Sequence, residues 1–279
     1  SDVYKRQVLA KEAGLELGIR ESIVVNDRME TSVPDIYAAG DAVQVKHYVT
    51  GNDALISLAG PANKQGRIIA DNICGGDSRY LGSQGSSVIK VFDMTAATTG
   101  INETNAKKSG LEVDTVILSP MSHAGYYPGG KVMTMKVVFE KETYRLLGAQ
   151  IIGYEGVDKR IDVLATAIHA GLKATQLKDL DLAYAPPYSS AKDPVNMAGF
   201  MIDNIAKGIL KQWHLEDMDK ISRDKSVVLL DVRTVGEFNR GHMDGFKNIP
   251  VDELRERISE IEIGKPVYLI CQSGLRSYI

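Results

Sequence analysis

The sequence is poor in cysteine and in aromatic residues, and it carries little net charge. Only two cysteines occur in 279 residues, which excludes a small secreted scaffold held by disulfides and favours a reducing cytoplasm. A net charge of −3 argues against a nucleic-acid partner held by bulk electrostatics. No stretch approaches the ~20 apolar residues of a membrane span, so we expect no membrane partner. His123 and His169 have no ligand-spaced partners, so we expect no metal site.

Composition divides the chain into three segments, which we interpret as domains: residues 8–84, 85–212 and 213–279. A Gly- and Ser-rich stretch at 75–87 marks the first boundary, and a charged stretch at 213–225 marks the second. In the middle segment strands precede helices, which predicts an α+β domain, whereas the last segment alternates strand and helix as an α/β domain with a parallel sheet does. The expected fold class is therefore α/β combined with α+β.

Hydrophobic periodicity and capping residues place the individual elements. Asn102 can cap a short helix that Gly110 ends, and Pro194 suits the start of a longer one. Residues 1–7 resemble neither a leader nor the start of a helix. The main strands are expected at 23–25, 36–41, 88–92, 113–118, 132–139, 146–152, 227–232 and 267–270, and the main helices at about 61–74, 157–171, 194–210 and 252–258.

The first segment contains a Gly-Asp pair, Gly40-Asp41, after Thr-x-x-Pro-x-Ile-Tyr-Ala, and a helix that begins after Leu58-Ala59-Gly60. Glycine lets the backbone approach a ligand closely, and the carboxylate can accept hydrogen bonds from sugar-like hydroxyls. This pattern resembles the second flavin-contacting segment of the pyridine nucleotide-disulfide oxidoreductases. The resemblance implies a partial FAD-binding lobe, in which Asp41 holds a ribitol hydroxyl. Gly40, Leu58 and Ala59 would contact the same cofactor, with the positive helix end near the flavin pyrimidine.

Two loops rich in proline and glycine carry tyrosines, at 122–129 and 183–194. Both resemble the dimerisation domain of the same superfamily, in the branch that contains coenzyme A-disulfide reductases and related NADH oxidases. The resemblance implies a homodimer in which Tyr126 and Tyr184 reach across to a redox cysteine and its coenzyme A thiol. A phenol can stabilise a developing thiolate without adding a fixed charge. Tyr184 would also lie at the cofactor.

The same resemblance assigns two coenzyme A contacts, Lys192 and Asn63. Lys192 matches a lysine of the reductases. Asn63 departs from their pattern, because that position carries a basic or imidazole group in the reductases. The substrate implied is a coenzyme A disulfide or persulfide.

The last segment carries a Cys-x-x-Gly-x-Arg loop, formed by Cys271, Gly274 and Arg276, directly after an apolar strand. A curled loop there can aim successive N–H groups at the thiol, and Arg276 adds positive charge that lowers the thiol pKa. With the upstream Asp-Val-Arg-Thr and Gly-His-Met motifs, the segment resembles the rhodanese homology domain. Cys271 would be the nucleophile that carries sulfane sulfur, whereas Asp231 and Arg233 would brace the fold.

The other cysteine, Cys74, ends an apolar helix, and we expect it to pack. No G-x-G-x-x-G occurs anywhere in the sequence, so NAD(P)H would bind through a region outside these residues. We expect the chain to be cut at both ends, with an incomplete rhodanese-like domain, and to be inactive as a reductase. Whether residues 1–7 are native is left open.

These observations predict a flavin-dependent NAD(P)H:coenzyme A-disulfide or persulfide reductase with a sulfur-carrying rhodanese domain. The alternatives are an NADH oxidase or peroxidase of the same flavoprotein branch, a sulfurtransferase module on a dimerisation platform, and a pure assembly scaffold. The choice between NADH and NADPH, the physiological acceptor and the identity of the redox cysteine stay open.

Overall fold

The computed structural model describes residues 3–279, and the side chains of residues 7–279. Of residues 1–7, whose native origin the sequence leaves open, the first two lie outside the described residues. The helices are α1 (Val3–Glu12), α2 (Ala59–Ile73), α3 (Glu103–Lys108), α4 (Val157–His169), α5 (Pro194–Ala206), α6 (Met218–Ile221), α7 (Val235–Arg240) and α8 (Leu275–Tyr278). The strands are β1 (Ile23–Val24), β2 (Val43–Lys46), β3 (Asp53–Ala54), β4 (Ser87–Val91), β5 (Met94–Gly100), β6 (Val113–Leu118), β7 (Thr134–Glu140), β8 (Leu146–Gly153), β9 (Val228–Asp231), β10 (Lys247–Asn248) and β11 (Val267–Ile270).

The N-terminal part contains a small sheet in the order β1-β2-β3, with β1 parallel and β3 antiparallel to β2. Two local predictions are wrong here. Helix α1 begins at Val3, within the stretch expected to be non-helical. The strand expected at 36–41 is absent, because Gly40, with a φ of 75°, turns the chain into a 3-10 turn at Gly40–Ala42. The alternating burial that defines a strand starts only afterwards, in β2.

The central sheet has five strands in the order β4-β5-β8-β7-β6. The sequence did not predict β5, which is rich in threonine and alanine and lacks a strong hydrophobic alternation. It pairs antiparallel with both β4 and β8. Helix α4 packs against β5 and β8 through a buried apolar face that includes Ile161, Leu164 and Ile168. Strands followed by such helices confirm the expected α+β arrangement.

The capping predictions for the two helices of this region are confirmed. The Asn102 side chain accepts a hydrogen bond from the Asn105 amide at the start of α3, and Gly110 lies beyond its end with a φ of 77°. Pro194 occupies the first turn of α5, and the Asp193 side chain caps that helix by accepting from the Val195 amide.

The C-terminal part contains a three-stranded sheet in the order β10-β9-β11, in which both pairs are parallel. This confirms the predicted α/β pattern. Leu230, Val232 and Ile249 form its buried centre. The helix expected at 252–258 is wrong: these residues form turns, followed by a 3-10 turn at Ile258–Glu260. The few apolar side chains of this stretch pack on the sheet, and this packing outweighs the helix propensity of the sequence.

The chain divides into two compact units, residues 1–115 with 137–172, and residues 116–136 with 173–279. The three-domain division stays a prediction. Within the described residues, no helix combines the length and the hydrophobicity that crossing a bilayer requires.

Candidate functional site

Strand β11 ends at Ile270 and delivers Cys271 to the loop that leads into α8. The Gly274 amide donates a hydrogen bond to the Cys271 sulfur at 3.1 Å, and the Ser277 hydroxyl lies 3.5 Å from it. Gly274 adopts a left-handed conformation, with a φ of 87°, which curls the loop around the thiol. Burial raises the pKa of Cys271, but hydrogen bonds from Ser277, Ser273 and Gly274 outweigh it, so the net pKa is lowered. A thiol of lowered pKa in a half-buried loop is the form that nucleophilic sulfur chemistry needs.

Arg276 directs both terminal nitrogens at the carboxylate of Glu237, each at 2.7 Å. This ion pair is the main cause of the raised pKa of Arg276, and the Cys271 thiolate contributes as well. The positive charge therefore acts on the thiol from a position fixed by Glu237. The sequence reasoning missed the role of Glu237. The sequence contains a signal for Glu237, because Thr234 and Glu237 have the spacing of a capping box, which they form at the start of α7.

Asp231 and Arg233 form a separate ion pair, in which the Arg233 Nη2 lies 2.6 Å from the buried Asp231 carboxylate. Arg233 also donates to the Gly241 carbonyl, and Asn248 donates to the carbonyls of Asp231 and Arg233. These contacts connect β9 with neighbouring backbone, as a bracing pair would.

The two tyrosine-bearing loops meet in space. The hydroxyls of Tyr126 and Tyr184 lie 2.9 Å apart, although 58 residues separate them in sequence. The Ala124 amide donates to the Ser189 carbonyl and joins the loops through backbone. The hydrogen bond with Tyr126 is the main cause of the raised pKa of Tyr184. Both side chains are exposed, so the pair can donate to a ligand at the surface.

Lys192 is exposed and lines a cavity of 450 Å³. The cavity also borders Ser273 and Gly274 of the Cys271 loop and the apolar side chains Met197 and Phe200 of α5. A cation at the rim of a largely apolar cavity suits a ligand that has an anionic group and an extended apolar part.

The two segments assigned to a flavin lie side by side in the first compact unit. The Gln65 side chain of α2 accepts a hydrogen bond from the Gly40 amide at 2.7 Å, which places Asp41 beside the first turns of α2. The Asp41 side chain is exposed, and no side chain caps the α2 start at Leu58. The exposed carboxylate can accept hydrogen bonds from the hydroxyls of a polyol. The N–H groups at the helix N-terminus, which no side chain caps, can donate to an electron-rich ring.

Asn63 and Cys74 are both exposed and lie near opposite ends of α2. The expectation that Cys74 packs is wrong, because the apolar stripe of the helix ends before the C-cap that Cys74 occupies. In the part of the chain that the structure describes, no group of three or more His, Cys, Asp or Glu side chains could hold a metal ion.

Three family models match consecutive segments of this chain. The pyridine nucleotide-disulphide oxidoreductase model matches residues 3–66, its dimerisation-domain model residues 86–194, and the rhodanese-like domain model residues 214–279. The NAD(P)H sulfur oxidoreductase (CoA-dependent) of Pyrococcus furiosus is 40% identical over 67% of this chain and 42% of its own length. The coenzyme A disulfide reductase of Staphylococcus aureus strain bovine RF122 / ET3-1 is 36% identical over 68% of this chain and 43% of its own.

Solved structures extend the likeness to the C-terminal domain. Reduced Bacillus anthracis CoADR-RHD is 49% identical, with a TM-score of 0.92 over 97% of this chain and 48% of that chain. The NAD-dependent persulfide reductase from A. fulgidus is 42% identical, with a TM-score of 0.87 over 97% and 49%. A water-forming NADH oxidase from Lactobacillus brevis is 27% identical, with a TM-score of 0.68 over 73% and 45%. The chain thus spans less than half the length of these relatives.

In chain order, the matched segments are an oxidoreductase segment, an oxidoreductase dimerisation domain and a rhodanese-like domain. Models of the pyridine nucleotide-disulphide oxidoreductases thus match two segments of this chain, and a rhodanese-like domain model matches a third segment at its C-terminal side. These matches confirm the resemblance predicted from the motifs, and the curated relatives named above are oxidoreductases and reductases.

Proposed function

We propose that the protein is an FAD-dependent NAD(P)H reductase of coenzyme A disulfide or persulfide, and that its rhodanese-like domain carries sulfur on Cys271. The relatives support the reductase, since they include a coenzyme A disulfide reductase and an NAD-dependent persulfide reductase. The observation that carries the sulfur role is the Cys271 loop, where the Gly274 amide and the Ser277 hydroxyl stabilise the thiolate.

Sulfur transfer begins when the Cys271 thiolate attacks the sulfane sulfur of a donor such as thiosulfate. An S–S bond forms on Cys271 and the donor S–S bond breaks, so sulfite leaves with the electron pair. A coenzyme A thiolate then attacks the outer sulfur, which yields coenzyme A persulfide and regenerates the Cys271 thiolate. The loop amides stabilise the thiolate at both stages, and Arg276 adds charge from its position on Glu237.

Reduction of coenzyme A persulfide consumes two electrons and two protons and yields the coenzyme A thiol and hydrogen sulfide. When bound, FAD supplies the two-electron link to NAD(P)H. Gly40, Asp41, Leu58 and Ala59 would hold it. Tyr126 and Tyr184 would donate hydrogen bonds to the departing thiolate.

Other assignments belong to the same proposal. Tyr184 would also contact the cofactor, and Lys192 and Asn63 would bind coenzyme A. The tyrosine pair would act across a homodimer. A reducing cytoplasm fits the two free cysteines.

Persulfide formation on Cys271 tests the sulfur role. The chain carrying Cys74→Ser is incubated with thiosulfate and analysed by intact mass and by cyanide-dependent thiocyanate release. We expect one added sulfur on this variant and none on the matched Cys271→Ser variant, which retains Cys74. Equal sulfur loading of the two variants would refute the assignment of Cys271.

An NADH oxidase is the second candidate, because the likeness to the Lactobacillus brevis oxidase extends over 73% of this chain. The two candidates differ in their electron acceptor. With the flavin-loaded natural protein, NADH consumption that requires coenzyme A disulfide or persulfide supports the reductase. Consumption that follows dissolved oxygen alone supports the oxidase.

A further inference from the structure

Two side chains that precede the C-terminal sheet in sequence, those of Asn204 and Trp213, donate hydrogen bonds to residues on either side of the Cys271 loop. Before the loop, the Trp213 indole nitrogen donates to the Leu269 carbonyl of β11 at 3.2 Å, and its ring meets Tyr268 edge-on at 6.4 Å. After the loop, the side-chain nitrogen of Asn204 in α5 donates a hydrogen bond to the Tyr278 hydroxyl of α8 at 2.7 Å. All of these residues lie in one compact unit.

The residues of α8 directly follow the left-handed Gly274, so contacts with neighbouring elements help to set the orientation of this turn. By contrast, α5 has thirteen residues and buries Val195, Ala198 and Ile202 completely, so it offers a fixed base.

A cavity borders both α5 and α8. Its volume is 450 Å³, and its lining includes Phe200 and Met201 of α5 and Leu275 and Tyr278 of α8, together with residues 117–120. Because side chains that border a cavity lack packing partners on that side, the directional hydrogen bond from Asn204 to Tyr278 is an important constraint on the position of α8.

The position of α8 matters to the thiol, because Gly274 and Ser277, which contact the sulfur, lie at its start and within it. We propose that Asn204 and Trp213 are positioning residues, which hold α8 and β11 so that the Gly274 amide and the Ser277 hydroxyl stay aimed at the Cys271 sulfur. This inference rests on the proposed role of Cys271 as the sulfur carrier. It makes the reactivity of the sulfur site depend on α5 and on Trp213.

The test is the pH dependence of Cys271 alkylation by iodoacetamide in the full chain, with Cys74→Ser as background because Cys74 is exposed. Asn204→Leu removes the donor, and Tyr278→Phe removes only the hydroxyl that accepts from it. Each is expected to raise the apparent pKa of Cys271 by about half a unit, which lowers the alkylation rate below that pKa about threefold. Trp213→Phe keeps an aromatic ring but removes the indole N–H. It is expected to shift the apparent pKa of Cys271 independently of the Asn204–Tyr278 hydrogen bond.

The double variant Asn204→Leu/Tyr278→Phe should match either single variant, because both remove the same hydrogen bond. Ile209→Ala, at an exposed side chain beyond α5, is the control and should leave the profile unchanged. Arg276, which interacts electrostatically with Cys271, and its charged neighbours Glu237 and Asp231 are the same in every variant. Far-UV circular dichroism and thermal unfolding verify that each variant is folded. If Asn204→Leu unfolds, Tyr278→Phe still tests the same hydrogen bond, because it removes only the hydroxyl and keeps the ring.

The outcomes separate the two proposals. An ordinary thiol pKa in the Cys74→Ser background refutes the proposed role of Cys271 itself. A lowered pKa there that is unchanged in folded Tyr278→Phe refutes the positioning role of Asn204. An unchanged profile in Trp213→Phe refutes that of Trp213.

Discussion

Glu237 joins two structural features through one carboxylate. It accepts both terminal hydrogen bonds of Arg276, and it accepts from the Thr234 amide and hydroxyl at the start of α7. The hydrogen bonds from Arg276 are the main cause of its strongly lowered pKa, followed by those from Thr234. Its ionised form therefore stabilises the folded domain and sets the position of the positive charge beside Cys271.

Glu237→Gln should destabilise the protein in a pH-dependent way. Since the folded-state pKa lies below the ordinary value of 4.5, the carboxylate contributes its full stability above about pH 4.5 and loses it as the pH falls towards the folded-state pKa. The thermal midpoints of wild type and Glu237→Gln, measured from pH 7 to pH 3, should converge on acidification. A constant difference across this range would contradict the argument.

Tyr126 and Tyr184 form the second coupled pair at this scale. Because the hydrogen bond to Tyr126 raises the pKa of Tyr184, Tyr126→Phe should return that pKa towards its ordinary value of 10.0. The measurement is a difference titration of tyrosinate absorbance between wild type, Tyr126→Phe, and the Tyr126→Phe/Tyr184→Phe double variant. Tyr154→Phe serves as the control for loss of one exposed tyrosine, and an identical Tyr184 titration with and without Tyr126 would contradict the coupling.

Among the elements, β5 and β8 approach each other more closely than side chains allow. Gly100 and Gly148 are partners in the ladder, and a Cβ on Gly148 would lie 2.1 Å from the Ile101 carbonyl oxygen. The obstacle is backbone, which cannot move aside as a flexible side chain can. These two glycines therefore allow the pairing of a strand that hydrophobic alternation did not reveal.

Gly148→Ala should lower the free energy of unfolding by about 1–3 kcal/mol or more, because the added methyl clashes with fixed backbone. Gly66→Ala is the matched control. Gly66 lies inside α2 with nothing within 4 Å of the added Cβ, so this change should stabilise by about 0.5–1 kcal/mol. Urea unfolding of both variants measures the two effects, and effects of the same sign would contradict the interpretation.

At the scale of the whole molecule, the chain matches models of two kinds of domain and spans less than half the length of the relatives compared above. It contains the Gly40-Asp41 segment and the α2 start, but no G-x-G-x-x-G. The residues that would hold one end of a flavin are therefore present without a recognisable dinucleotide-phosphate motif.

We accordingly expect these 279 residues, supplied with FAD and NADH, to show no sustained NADH consumption above that of free FAD. The measurement is the decay of NADH absorbance with and without coenzyme A disulfide. Thiosulfate-dependent sulfur loading of Cys271 in the same preparation shows that the loop is intact. Steady NADH turnover would contradict this expectation.

The sequence by itself determined what depends on neighbouring residues. The Cys-x-x-Gly-x-Arg loop, the Asn102 cap and the Pro194 helix start were predictable, because their hydrogen bonds and backbone angles involve residues a few positions apart. Motifs along the chain also pointed to the families whose models match it.

Only the tertiary structure decided which distant groups meet. The Tyr126–Tyr184 hydrogen bond spans 58 residues, and the Arg276–Glu237 ion pair spans 39. The pairing of β5 and the exposure of Cys74 are likewise outcomes of packing. Local patterns carry no record of these contacts, because they form only when the whole chain closes and burial and backbone pairing choose among many compatible partners.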